Sequence, residues 1–181
     1  MKQSQAVGAR ILSAALFVLA LIALASPALA QQQGPASAGL QWSTLEQAAK
    51  SAKSAKKGVF VMVYADWCGY CHKMDATTFR DPNVIARINA SFIPAKLNGE
   101  SGNSLTLGKR TLTENQWAME QGVQGFPALV VMDSKSRVVV QYPGFLSAPQ
   151  ARQFLSDLAE FFRKGGIDKL GNFLDWVEAK A

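Results

Sequence analysis

The spacing of apolar positions divides the chain into alternating helical and extended segments. Ser43-Thr44-Leu45-Glu46 reads as a capping box, a serine with a glutamate three residues on, and opens a helix. That helix carries Leu45, Ala49 and Ala52 on one face and stops near Gly58. Val59 to Tyr64 is an unbroken apolar, β-branched run, the pattern of a strand covered on both faces. A helix opens around Cys68, and Asp81-Pro82, an N-cap followed by proline, starts another that runs to about Asn89. Phe92 to Leu97 reads as a second strand, and Asn98 to Leu112, rich in Gly, Ser and Thr, as a long loop. Thr113 to Gln116 is a second capping box, opening a helix to about Gln121. Ala128 to Met132 and Arg137 to Gln141 are strands joined through Asp133-Ser134-Lys135-Ser136 as a hairpin. A third capping box, Ser147 to Gln150, precedes a helix burying Ala151, Phe154, Leu155, Leu158 and Phe162. Gly165-Gly166 stops it, and a last amphipathic helix carries Ile167, Leu170, Leu174 and Val177. Helices interleaved with strands predict an α/β fold, a central mixed sheet flanked by helices.

The first thirty residues stand apart. Lys2 and Arg10 precede a 15-residue run, Ile11 to Ala25, interrupted only by Ser13, and Ala28-Leu29-Ala30 supplies the small-x-small pattern. This reads as a cleavable signal peptide (1–30), the run being shorter than the roughly 20 residues that span a bilayer. Residues 31–41, rich in Gln, Gly, Ala, Ser and Pro, read as a flexible leader, and 42–181 as one domain. From Gln31 onward the chain holds 17 basic and 13 acidic side chains, near +4. Lys50, Lys53, Lys56 and Lys57 lie on one helix as a solvated face, so no nucleic-acid partner is expected. No coiled coil or wide apolar stripe calls for a dimer, and a monomer is expected. Two cysteines and one histidine are too few for a four-ligand cysteine/histidine zinc site. Met62, Met74, Met119 and Met132 fall in apolar segments and read as core rather than as metal ligands. No metal or bound cofactor is expected beyond a redox-active pair of cysteines.

The chemistry lies in Trp67-Cys68-Gly69-Tyr70-Cys71-His72. Cys68 sits where a helix begins, and the helix dipole with its free N–H groups favours a thiolate there. Cys71 is one turn on, close enough for a small disulfide ring. An attacking thiolate and a resolving thiol are the two groups that thiol–disulfide exchange requires. A ring this small removes little chain entropy and makes a poor structural staple. The same residues also spell C-x-x-C-H, the c-type haem attachment motif, with His72 as axial ligand. Alternatively His72, four residues past Cys68, sits beside the thiol and favours its thiolate when protonated.

Further residues carry a resemblance. Trp67, Cys68, Cys71 and Met74, followed by Thr78-Phe79-Arg80-Asp81-Pro82, resemble the exported, periplasmic thioredoxin-like proteins. The terminal thioredoxin-like domain of DsbD and the SoxW-type thioredoxins are similar in kind. Gly125-Phe126-Pro127-Ala128-Leu129 matches the block that carries the family's cis proline, Ala95-Lys96-Leu97-Asn98 the strand with a lysine under the active site, and Gly144 the glycine after the last strand. The resemblance implies a thioredoxin fold with a loop insertion and an extra C-terminal helix. It implies that Cys68 attacks and Cys71 resolves, that Trp67, Gly69, Tyr70, His72 and Lys96 support the centre, and that Phe126 and Pro127 line the substrate path. It implies protein thiols and disulfides as substrates and a membrane electron donor of DsbD or CcdA type. Three departures stand out. Met62 occupies the place of the family's buried acid, so Lys96 is expected to lack a partner and to lower the Cys68 pKa. The segment after Asn98 is longer by about a dozen residues, a length that is often functional. Residues 167–181 add a helix, expected to serve packing. The expected function is an exported protein-disulfide reductant. A disulfide oxidase or isomerase on the same fold, a haem electron carrier and a non-catalytic binding module are the alternatives.

Overall fold

The computed structural model describes residues 39–180. The expected signal peptide and the leader up to residue 38 lie outside the described residues. Leu40, placed in the leader by composition, is buried in the core.

Helix α1 (Leu45–Ala55) begins one residue later than expected. Thr44 is its N-cap, with its side chain accepting from the Gln47 N–H while Gln47 reaches back to the Thr44 N–H. Ser43 is committed elsewhere: its backbone N–H and its hydroxyl both bond the Pro94 carbonyl, at 3.2 and 2.9 Å. The shift buries Leu45, Ala48 and Ala52, and Ala49 leaves the core face.

Strand β1 (Gly58–Tyr64) lies parallel to β2 (Phe92–Asn98) and antiparallel to β5 (Ala128–Met132), which pairs antiparallel with β6 (Val138–Pro143). The strand order is β2-β1-β5-β6, a mixed sheet. β1 is interior and covered on both faces, which is why its sequence is uniformly apolar. Its odd residues, Val59, Val61 and Val63, meet α1 residues, Trp117 and Ala118 on one face. Its even residues, Phe60 and Met62, meet the cysteines, Met74, Phe79 and Ile88 on the other. Strand alternation thus assigns the two cores.

Between β1 and β2 run α2 (Gly69–Ala76), a 3₁₀ turn at Thr78–Arg80 and α3 (Pro82–Ser91). Asp81 caps α3 as expected, one carboxylate oxygen accepting from the N–H groups of Asn83 and Val84.

The long loop expected after Asn98 is instead a second small sheet. β3 (Ser104–Leu107) pairs antiparallel with β4 (Arg110–Thr113) around Gly108-Lys109. Leu105 is buried, and the Thr106 N–H donates to the Glu46 carboxylate of α1. Helix α4 (Glu114–Glu120) follows, with the expected Thr113–Gln116 box.

Helix α5 (Ala148–Arg163) buries Phe161, and Phe162, the expected core residue, is only partly covered. The two side chains are about 100° apart on the helix, and Phe161 takes the direction that points into the core. The last helix is two short ones, α6 (Ile167–Leu170) and α7 (Phe173–Glu178), separated by Gly171 at φ 70°. Phe173 fills the core and Leu174 faces solvent, the reverse of expectation. Among the described residues no helix is long and apolar enough to cross a membrane.

Candidate active site

Cys68 is the N-cap of α2, and its sulfur lies 3.1 Å from the Cys71 N–H. The two sulfurs are joined in a disulfide, with Cα atoms 5.2 Å apart. Both cysteines are nearly covered, at 3% and 2% exposure. The Cys71 N–H in the first helical turn points at the Cys68 sulfur, an arrangement that favours a thiolate once the bond opens.

Two aromatic pairs border this disulfide. Trp67, 71% exposed, meets Phe126 edge to face at 6.1 Å between centroids. Tyr70, 63% exposed, meets Phe145 at 6.0 Å. The Phe126–Pro127 peptide is cis, and the Pro127 carbonyl accepts from the Gly144 N–H at 2.8 Å. Phe126 and Phe145 therefore flank a bonded Pro127–Gly144 floor. A cleft of about 400 Å³ opens beside this floor, lined by Gly125, Phe126, Pro127, Pro143 and Gly144 among others. Gly69 is unobstructed: a Cβ there would meet nothing within 4 Å.

The segment entering the hairpin reaches the site, which sequence reading missed. The Trp67 indole N–H donates to Glu100 at 2.9 Å. Gly99 lies so close to Phe126 that a side chain there would overlap the ring. Asn98 bonds the Asp66 carboxylate, and Asn115 of α4 bonds the Gly99 carbonyl. The available signal was the Asn98-Gly99 turn directly after a strand that ends beside the cysteine motif.

The His72 ring is held to the backbone: its Nε2 is 3.0 Å from the Asp66 carbonyl and carries the proton in that bond. The haem reading draws on the same three side chains, and here the sulfurs bond each other while His72 turns to the backbone. Lys96 is not unpaired. Its ammonium bonds the Asp75 carboxylate of α2 at 2.6 Å and lies over the rings of Trp42 and Tyr64 at 5.1 and 5.8 Å. Met62, opposite Lys96 in the sheet register, is fully buried. The acid missing from β1 is thus replaced by one from the helix. Burial raises the Tyr64 phenol above its ordinary value, with the carboxylates of Asp66, Glu114 and Asp75 adding to it.

A disulfide at a helix N-terminus, on a β2-β1-β5-β6 sheet and beside a cis proline, defines a thioredoxin-fold centre with the equipment of a thiol–disulfide oxidoreductase. The chain belongs to the thioredoxin-like domain family, whose sequence pattern matches residues 45–159. The Thiol:disulfide interchange protein DsbD of Photorhabdus laumondii is 26% identical over 119 residues, covering 65% of this chain and 19% of that protein. This chain therefore spans about a fifth of that relative's length. A thioredoxin of Thermus thermophilus shares the fold with a TM-score of 0.57 at 23% identity, over 71% of this chain and 92% of that one. The DsbH oxidoreductase superposes with a TM-score of 0.54 at 18% identity, over 79% and 98% respectively.

Proposed function

We propose that this protein is an exported reductant of protein disulfides, working through Cys68 and Cys71. The observation that carries the reading is the position of Cys68, its sulfur capping α2 and covalently paired with Cys71 beneath two aromatic pairs. In the reduced protein the Cys68 thiolate attacks one sulfur of a substrate disulfide. That S–S bond breaks, the departing thiolate takes a proton, and a mixed disulfide forms on Cys68. Cys71 loses its proton and attacks the Cys68 sulfur, releasing the second substrate thiol. The substrate gains two electrons and two protons, and the protein is left as the disulfide. Trp67, Gly69 and Tyr70 shape access to the sulfurs, and His72 ties the turn of α2 to Asp66. Lys96 sits under the helix with Asp75. Phe126, before the cis proline, offers its backbone to an extended substrate segment by β-augmentation, and Pro127 lines the path beside it. A membrane electron donor of DsbD or CcdA type resets the dithiol from the periplasmic side, and the protein acts as a monomer with no bound cofactor.

The test is the reduction potential of the Cys68–Cys71 pair, measured by equilibration with glutathione buffers. A value near roughly −270 mV, that of thioredoxin, is expected. A value between roughly −180 and −120 mV, the range of isomerase and strong oxidant, would overturn the reductant direction in favour of making or shuffling disulfides.

A further inference from the structure

The two aromatic pairs around the disulfide carry opposite charge. On the Trp67–Phe126 side stands Glu100, whose Oε2 holds the indole N–H. Asp66, one residue before Trp67, adds a second exposed carboxylate there. On the Tyr70–Phe145 side the Lys73 ammonium lies over the Phe145 ring, 5.3 Å from its centroid. Among the described residues neither Glu100 nor Lys73 takes part in an ion pair, and both are exposed, so each charge faces solvent. Both are also fixed in place: Glu100 by the indole and by its own N–H on the Asn98 side chain at 3.0 Å, Lys73 by the ring beneath it. The hydrogen-bonded Pro127–Gly144 floor separates the two walls. A polypeptide segment bringing its sulfur to the nearly covered Cys68 must pass over this frame, with residues on one flank near Glu100 and on the other near Lys73.

Building on the thiol–disulfide reading of the site, we propose that this rim is charge-polarised and that Glu100 and Lys73 are specificity-determining residues. The substrate class is an extended polypeptide with a basic side chain on one flank of its cysteine and an acidic one on the other. The order of those charges along the peptide decides how well it seats. Rim charges act chiefly on encounter and orientation, so the preference appears in kcat/KM and weakens with salt.

The experiment compares two capped peptides of identical composition, one with lysine before and glutamate after a central cysteine, the other with the order reversed. Each is supplied as its symmetric disulfide, alongside a neutral peptide disulfide, to the reduced protein at low ionic strength. Rates are normalised to reduction of the same peptides by dithiothreitol. The wild type is expected to prefer one order by about fivefold, a few-fold from each well-placed rim contact. The preference should fall towards one near 1 M salt, where the screening length is about 3 Å. In the double variant Glu100→Gln/Lys73→Gln, whose glutamine keeps an acceptor for the Trp67 indole, the two orders should react alike. Equal rates of the two isomers with the wild type, or a preference that survives 1 M salt or the double substitution, overturns the proposal. Reduction of the neutral peptide by the wild type keeps the two readings distinct: if it is reduced while the two charged isomers react alike, only the charge proposal falls. If no peptide is reduced, the oxidoreductase reading falls and takes this one with it.

Discussion

The two faces of the central sheet are built from one alternating strand, yet they differ in kind. The face of Val59, Val61 and Val63 is aliphatic, and α1, α4 and the small hairpin cover it with Leu45, Ala48, Trp117 and Leu105. The face of Phe60 and Met62 is aromatic, and it also carries the disulfide and the Lys96–Asp75 pair. The first face does one thing, which is to exclude water. The second divides its length between chemistry and support. At one end Trp67 and Tyr70 stay mostly in solvent, so a substrate can meet the sulfurs, and apolar area there goes uncovered. At the other end Phe154, Phe161, Phe173 and Trp176 interlock, with Phe161 and Phe173 centroids 5.3 Å apart at 90°. Phe173 and Trp176 lie beyond the residues that match the family pattern, so this chain extends the aromatic face with its own addition.

That division gives the largest expected effect. Phe173→Ala removes a 2%-exposed ring from the supporting end and should cost about 3–5 kcal/mol of stability. Chemical denaturation measures the loss, and glutathione equilibration of the surviving folded protein should return the wild-type potential. A potential that moved with Phe173 would mean that the two ends of the face are not separable.

What was legible in the sequence follows the same line. Local signals were readable: the Asp81-Pro82 cap, the Thr113–Gln116 box and the strand run of β1 each depend on residues within a few positions. Small slips came from residues with rival partners. Ser43 qualifies as an N-cap by type, but Pro94 takes its hydrogen bonds, and Pro94 is distant in sequence. Phe161 and Phe162, or Phe173 and Leu174, are adjacent apolar residues that only the packing partner can rank. The hairpin did leave a trace, because Ser104-Leu105-Thr106-Leu107 and Arg110-Thr111-Leu112-Thr113 alternate with period two around Gly108-Lys109. The Gly and Ser on its approach masked that alternation. The cysteine centre was legible as a motif. The ion pair beneath it was not, since Lys96 meets Asp75 only through the rotation of α2 over β2.

A smaller effect sharpens the comparison at the chemical end. Asp75 is one helical turn past Cys71, and its carboxylate balances the Lys96 ammonium. Asp75→Asn leaves that positive charge uncompensated. A nearby cation favours the thiolate, so the reduced form gains stability and the potential rises. Both partners are partly exposed, and solvent screening limits the shift to about 10–30 mV, or roughly 0.5–1.4 kcal/mol. Lys96→Met removes the cation and should move the potential to more negative values. Opposite signs in the two variants mark an electrostatic role, whereas shifts of the same sign would point to loosened packing under α2.

The smallest effect lies at the supporting end, at Lys180, two residues past the end of α7. Its ammonium bonds Asp157 and Glu160 of α5 and lies over Trp176 at 5.2 Å. Hydrogen bonds from Lys180, then from Lys164, hold the Glu160 carboxyl down to about 2. A carboxyl with a lowered folded pKa stabilises the fold above its unfolded value of about 4.3 and loses that contribution as pH falls towards 2. Lys180→Ala should therefore lower Tm slightly at pH 7, and the difference from wild type should shrink between about pH 5 and pH 2. Calorimetry on both proteins across that window reads it directly, with added salt reducing the neutral-pH difference further. A difference that persisted in acid would assign Lys180 to the aromatic cluster rather than to the carboxylates. Its contact with the Trp176 ring would then be the interaction that fastens α7 to the aromatic end of the face.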